Sequence, residues 1–128
     1  MIGYVTLEET KDYLNARFEK IPSDPILSKN LLLAFDKIES IDIRYSGTPN
    51  KFPRTIETEI PQNVKQAQIL EAYTMSNNPK LSAEIVDNVK SKSIGDYSIS
   101  YSDNKIQGVS FYNKVAYDIM MRYKRKSY

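Results

Sequence analysis

The sequence predicts a mainly α fold: a small bundle of about four helices with one β-hairpin inserted before the C-terminal helix. Three observations predict it. Apolar residues recur at helical spacing in four separate stretches, a capping signature or a proline marks where helices begin, and one short stretch alternates strictly with a period of two. The 128 residues fit one domain spanning 1–128, and a chain of this size buries roughly two-thirds of its unfolded surface.

Thr6-Leu7-Glu8-Glu9 reads as a capping box, with the Thr6 hydroxyl facing the Glu9 amide and the Glu9 carboxylate facing the Thr6 amide. Leu7, Thr10, Tyr13, Leu14 and Phe18 then predict a first helix through about Phe18. Ile21-Pro22-Ser23-Asp24-Pro25 ends it, because the residue before a proline is driven out of the helical region. A second helix starts at Asp24 or Ser28. Leu31, Leu32, Leu33, Phe35, Ile38 and Ile41 make it the core helix.

Gly and Pro punctuate Tyr45 to Glu59, which predicts an irregular segment with Phe52 tucked into the core. Ile60-Pro61 opens a third helix, with Pro61 in its first turn and Val64, Ala67, Leu70 and Tyr73 along one face. Leu81 to Val89 fits either helix or strand. Tyr97-Ser98-Ile99-Ser100-Tyr101-Ser102 alternates as a strand, Gly95-Asp96 is a two-residue turn, and Lys90 to Ile94 is the partner strand. The last helix is predicted from about Ser110 to Lys124, with Phe111, Val115 and Ile119 in one row and Tyr112, Ala116, Met120 and Tyr123 in another. That is more apolar surface than one core-facing stripe requires.

Composition removes whole classes of chemistry. With His 0 and Cys 0, there is no imidazole base, thiolate nucleophile, disulfide or zinc-thiolate site. An enzyme would have to run on carboxylates, Lys or Tyr, and the acid pairs Glu8-Glu9 and Glu57/Glu59 lack catalytic or metal-ligand spacing. No enzymatic activity, metal or cofactor is expected. The N-terminus has no basic segment followed by an apolar core, so no export signal is read there, and no apolar run approaches membrane-spanning length.

The net charge of +2 is uneven. Arg122, Lys124, Arg125 and Lys126 form a basic tail; without those four, 14 basic residues face 16 acidic ones, a net of −2. Two surfaces follow. The hairpin face, Lys90, Lys92, Ile94, Tyr97, Ile99 and Tyr101, interleaves cations with tyrosines. It is suited either to packing on protein or to stacking on bases and neutralising phosphates in single-stranded DNA. The surplus apolar face of the last helix, Phe111, Val115, Ile119 and Met120, fits either a fully buried bundle helix or mixed use, half in the chain's own core and half in an intersubunit contact shared with Lys92, Tyr97, Ile99 and Tyr101; mixed use is the expectation. Arg122, Tyr123, Lys124, Arg125 and Lys126 are the candidates for contact with DNA or a partner protein.

Four strings in order resemble the head–tail connector proteins of tailed bacteriophages. They are Tyr4-Val5-Thr6-Leu7-Glu8-Glu9 with Tyr13 to Phe18, Phe52-Pro53-Arg54, Ile60-Pro61-Gln62-Asn63-Val64-Lys65-Gln66-Ala67, and Val89 to Tyr101 with its Ile94-Gly95-Asp96 turn. The region between the first two helices is shorter than in that family, and Phe52 stands where Trp is common. The resemblance implies a structural virion protein assembled in the host cytoplasm. It would be an adaptor forming a ring, typically twelve-fold, beneath the portal protein. Such a ring extends the channel for double-stranded DNA and docks a downstream tail or stopper protein, with the C-terminal segment on the portal. Some relatives carry a description of single-stranded DNA binding, similar to a primosomal protein. The rival reading is therefore a single-stranded DNA-binding module using Lys90, Lys92, Tyr97 and Tyr101.

Overall fold

The computed structural model describes residues 1–78 and 105–124. Among them the fold is mainly α: helices α1 (Leu7–Asn15), α2 (Asp24–Glu39) and α3 (Gln62–Asn77), a hairpin of β1 (Lys105–Ile106) and β2 (Val109–Ser110), and a last helix α4 (Lys114–Met121). The hairpin expected at 90–102 and the ambiguous segment 81–89 lie outside the described residues.

The capping box forms as predicted. Glu9 donates its backbone N–H to Thr6 Oγ1 at 3.1 Å, and Thr6 donates to Glu9 Oε1 at 2.7 Å. α1 is one turn shorter than its apolar stripe. The amides of Arg17 and Phe18 both return to the Leu14 carbonyl, closing the helix, and the freed Phe18 ring stacks on Tyr73 at 4.2 Å. α2 starts at Asp24 with Pro25 in its first turn, where a missing N–H leaves no bond unmade. Pro61 is the N-cap of α3 rather than a residue of its first turn, and its carbonyl accepts from Val64 and Lys65.

The β1–β2 hairpin turns at Gln107-Gly108, whose φ values of 52 and 85 are the left-handed pair that a two-residue turn between twisted strands requires. With two residues per strand, no alternation could reveal it. α4 is shorter at both ends than the predicted Ser110 to Lys124. Ser110 pairs with Lys105 in the hairpin, and Asn113 caps the helix by accepting from the Ala116 amide at 3.0 Å. Beyond α4, Lys124 leaves the helical path to form a β-bridge with Ile43.

α2 and α3 pack along their length, α4 lies on α3, and α1 touches α2. Val5, Leu14, Leu27, Leu31, Ala34, Ile69, Ala72 and Met75 fill one end of this stack. Tyr4, Ile38, Ile41, Ile43, Phe52, Val64, Ala67 and Ile106 fill the other, together with Phe111, Ala116, Ile119 and Met120. The N-terminal strap crosses the helices on Gly3, whose φ of 63 and approach to the Phe35 ring leave no room for a Cβ.

Buried polar groups tie the layers together. Gln68, with no exposed surface, accepts from the Tyr4 amide at 3.1 Å and donates to the carbonyls of Ile2 and Leu31, both at 2.9 Å. The Tyr4 hydroxyl donates to Glu39 and accepts from the Phe52 amide at 3.2 Å, which pins the irregular segment to α2; burial pushes its pKa far up. Glu71 on α3 is fully buried and pairs with Lys37 on α2. Its two oxygens also accept from the amides of Tyr112 and Asn113 at 2.9–3.0 Å, just ahead of α4. The Lys37 ammonium sits 4.0 Å from the Tyr112 ring centroid. Burial lowers the Lys37 pKa, and the Glu71 charge and hydrogen bond oppose that shift.

A smaller clamp closes the irregular segment. Arg54 donates from its amide and from Nη2 to the two Glu57 oxygens, each at 2.8 Å, and its guanidinium faces the Tyr123 ring at 4.8 Å. Partial burial works against the Glu57 charge, but the hydrogen bonds and charge of Arg54 outweigh it and hold the carboxyl below the usual glutamate range.

Two outcomes are expected. Glu71→Ala leaves the buried Lys37 amine without its counter-charge and two amides unpaired, so urea denaturation should show a loss of about 3–5 kcal/mol; a loss below about 1 kcal/mol would mean the pair does not hold the helices together. The Glu57 pKa is lower in the folded than in the unfolded chain. The clamp's contribution is therefore complete above the unfolded value and is lost as pH falls through the folded one. Melting curves from about pH 7 to about pH 3 should show wild type above Glu57→Gln at the upper end and the two converging at the lower. A constant gap across that range would exclude this linkage.

Candidate nucleic-acid interface

After α2 the chain runs as a short extended segment. Ile41 and Ile43 are fully buried while Asp42 and Arg44 face solvent, the period of two that extended backbone gives. Both edges of this segment are held. On one side the Gln107 carboxamide lies along the backbone of Asp42, accepting from its amide at 2.6 Å and donating to its carbonyl at 3.3 Å. On the other, Ile43 bridges to Lys124 in antiparallel sense. The bridge sets exposed Arg44 beside the start of the basic tail, where Arg122 is the exposed C-cap of α4.

Tyr45 follows at φ 63, in the left-handed region that a bulky side chain rarely adopts. The loop holds it there. Its carbonyl accepts from Thr55 at 2.8 Å, Ser46 Oγ donates back to the Ile43 carbonyl, and Gly47 donates to Lys51 at 3.0 Å. The residue is 45% exposed, with the Arg44 guanidinium carbon 4.8 Å from its ring centroid. Among the described residues every other aromatic is more buried than Tyr45. Tyr4 is in the core, Tyr73 stacks on Phe18, Tyr112 lies beneath Lys37, and Tyr123 donates to Asn63 Oδ1 at 2.6 Å. Glu57 is paired with Arg54, and Glu39 accepts hydrogen bonds from Tyr4 and from the Lys51 amide. Asp42, like Arg44, is exposed.

The structure treats the sequence-predicted residues unequally. Phe111, Ile119 and Met120, expected at an intersubunit contact, are 0%, 7% and 0% exposed within the chain's own core, because α4 lays its apolar face on α3 and beneath the extended segment. Of that helix set only Val115 is exposed, at 53%. Tyr123, expected to face a partner or DNA, is instead an internal strut, its ring edge-on to Phe52 at 5.1 Å. Arg122 and Lys124 retain solvent exposure. Lys90, Lys92, Tyr97, Ile99, Tyr101, Arg125 and Lys126 lie outside the described residues. Arg44 and Tyr45 went unread as site residues. The signal available was the alternation Ile41-Asp42-Ile43-Arg44, which marks an extended stretch with a cation outward directly before a tyrosine. Among the described residues no group of three or more acids could hold a metal ion, and no helix is long and apolar enough to cross a membrane.

A family model described as "Putative DnaT-like ssDNA binding protein" matches residues 3–126. No curated protein and no solved structure matches the chain. The family match overturns the head–tail connector resemblance. The described strings behind that resemblance are a helix cap at Thr6–Glu9, an aromatic plug at Phe52 and a proline-initiated helix at Pro61. Each is a local solution to a local folding problem, and none requires a particular function. With nearly its whole length matched, the chain belongs to the DnaT-like single-stranded-DNA-binding family so described.

Proposed function

We propose that this protein is a single-stranded DNA-binding module without catalytic activity, and that it contacts the phosphate backbone through the basic end of the molecule. The observation that carries the reading is the Ile43–Lys124 bridge, which brings Arg44 from the middle of the sequence to the basic tail. A binder indifferent to sequence needs cations that track the backbone more than it needs a high overall charge. This chain has a body of slightly negative balance, and the bridge sets the segment carrying Arg44 against the one carrying Arg122 and Lys124, continued in sequence by Arg125 and Lys126.

The family description supports the same reading independently of the surface. The absence of histidine and cysteine from the sequence fits binding rather than bond-making. The basic and aromatic face expected of Lys90, Lys92, Tyr97 and Tyr101 belongs to the same proposal as a further contact along the strand.

Fluorescence anisotropy of a labelled oligothymidylate is the direct measurement. Binding should be present at low salt, with log affinity falling linearly against log salt. The double variant Arg44→Ala/Lys124→Ala should reduce the magnitude of that slope by about 1.4, from about 0.7 per phosphate contact on a single strand. No binding at low salt would remove the proposal, and an unchanged slope would remove the assigned cations.

A further inference from the structure

Resting on that reading, we propose that Tyr45 is the platform on which one unpaired base stacks, and hence the residue that makes the surface prefer single strands to duplex. Four observations converge on it. Tyr45 is the exposed aromatic of the described residues, while the other rings are drawn into packing or hydrogen bonds. Its backbone stands at φ 63, a conformation that disfavours bulky L-residues by roughly 1–2 kcal/mol, yet the residue remains 45% exposed. Strain of this kind persists where the surroundings over-determine it, and here the Tyr45–Thr55 hydrogen bond and the Ile43–Lys124 bridge do so. The loop therefore presents the ring from a fixed base rather than on a free tether. Finally, the Arg44 guanidinium lies against the ring, its carbon 4.8 Å from the centroid, and the Ile43–Lys124 bridge holds the backbone two residues away.

That arrangement is what a single strand needs. A base has a π-face regardless of its identity, so stacking on tyrosine tolerates sequence, and the flanking phosphates meet the cations. A duplex offers the same phosphates, but its bases are stacked on one another and cannot reach a surface ring. Arg44 and Lys124 therefore serve both forms, and Tyr45 serves only the unpaired one.

The test separates these contributions. With an oligothymidylate of about twelve nucleotides, inside the usual range of site sizes, Tyr45→Ala should weaken binding by at least about fivefold while leaving the salt slope unchanged. Tyr45→Phe should bind as wild type, and duplex binding should be equal in all three. Because the sequence has no Trp, Tyr45→Trp creates a single reporter. Its emission should be quenched by the oligothymidylate and unaffected by duplex, a readout that a merely structural tyrosine would not give. Tyr45→Asn, which suits the left-handed backbone, should weaken single-strand binding as Tyr45→Ala does and shows that the loss is not misfolding. If wild type binds the single strand and Tyr45→Ala binds it within twofold, the stacking role is overturned while the binding function stands. If wild type does not bind, both fall.

Discussion

The buried Glu71 carboxylate is the constraint on which the rest of the arrangement depends. A lone anion in the interior of α3 would be strongly unfavourable, and three partners from two directions make it tolerable: the Lys37 ammonium of α2 and the amides of Tyr112 and Asn113. Those amides precede α4, where the helix dipole also favours negative charge. One carboxylate therefore fixes the spacing of α2 and α3 and the point at which α4 begins. Apolar packing would draw the same helices together without choosing so narrowly among registers, since hydrophobic contact is non-directional.

The other interior polar groups extend the same logic to the loops. Gln68 satisfies the strap at Ile2 and Tyr4, and Tyr4 with Glu39 satisfies the irregular segment at Lys51 and Phe52. Each of these segments lacks regular backbone bonding of its own, and buried amides without partners would be costly. Side chains on the helices supply those partners. The fifteen residues from Tyr45 to Glu59 are irregular yet ordered by this means, with Phe52 as their apolar plug and the Arg54–Glu57 clamp as their closure.

The proposed DNA-binding surface is a by-product of that interior order. The extended stretch after α2 can be exposed on one side only because Ile41 and Ile43 are anchored on the other. Gln107 and Lys124 then hold its two edges, and the unusual backbone of Tyr45 is stable because its neighbours are fixed. The surplus apolar character of α4 has the same origin. It faces a core that includes α3, the irregular segment and the β1–β2 hairpin, so a helix that looks too greasy for one neighbour has several.

Much of the fold was legible in the residues themselves. The capping box at Thr6, the prolines at positions 22, 25 and 61, and the helical stripes of α2 and α3 act through nearest-neighbour sterics and local hydrogen bonds, so they read directly from sequence. The same holds for the chemistry denied by a chain without histidine or cysteine. The two-residue strands, the left-handed Tyr45 and the end of α4 were not legible, because each is fixed by a contact far away in sequence: Gln107 with Asp42, Tyr45 with Thr55, Lys124 with Ile43. By itself the sequence determined where helices could form and that no imidazole or thiol is present. Only the tertiary structure decided that the segment carrying Arg44 and Tyr45 meets the start of the basic tail, since that depends on a backbone bridge between residues about eighty apart in sequence.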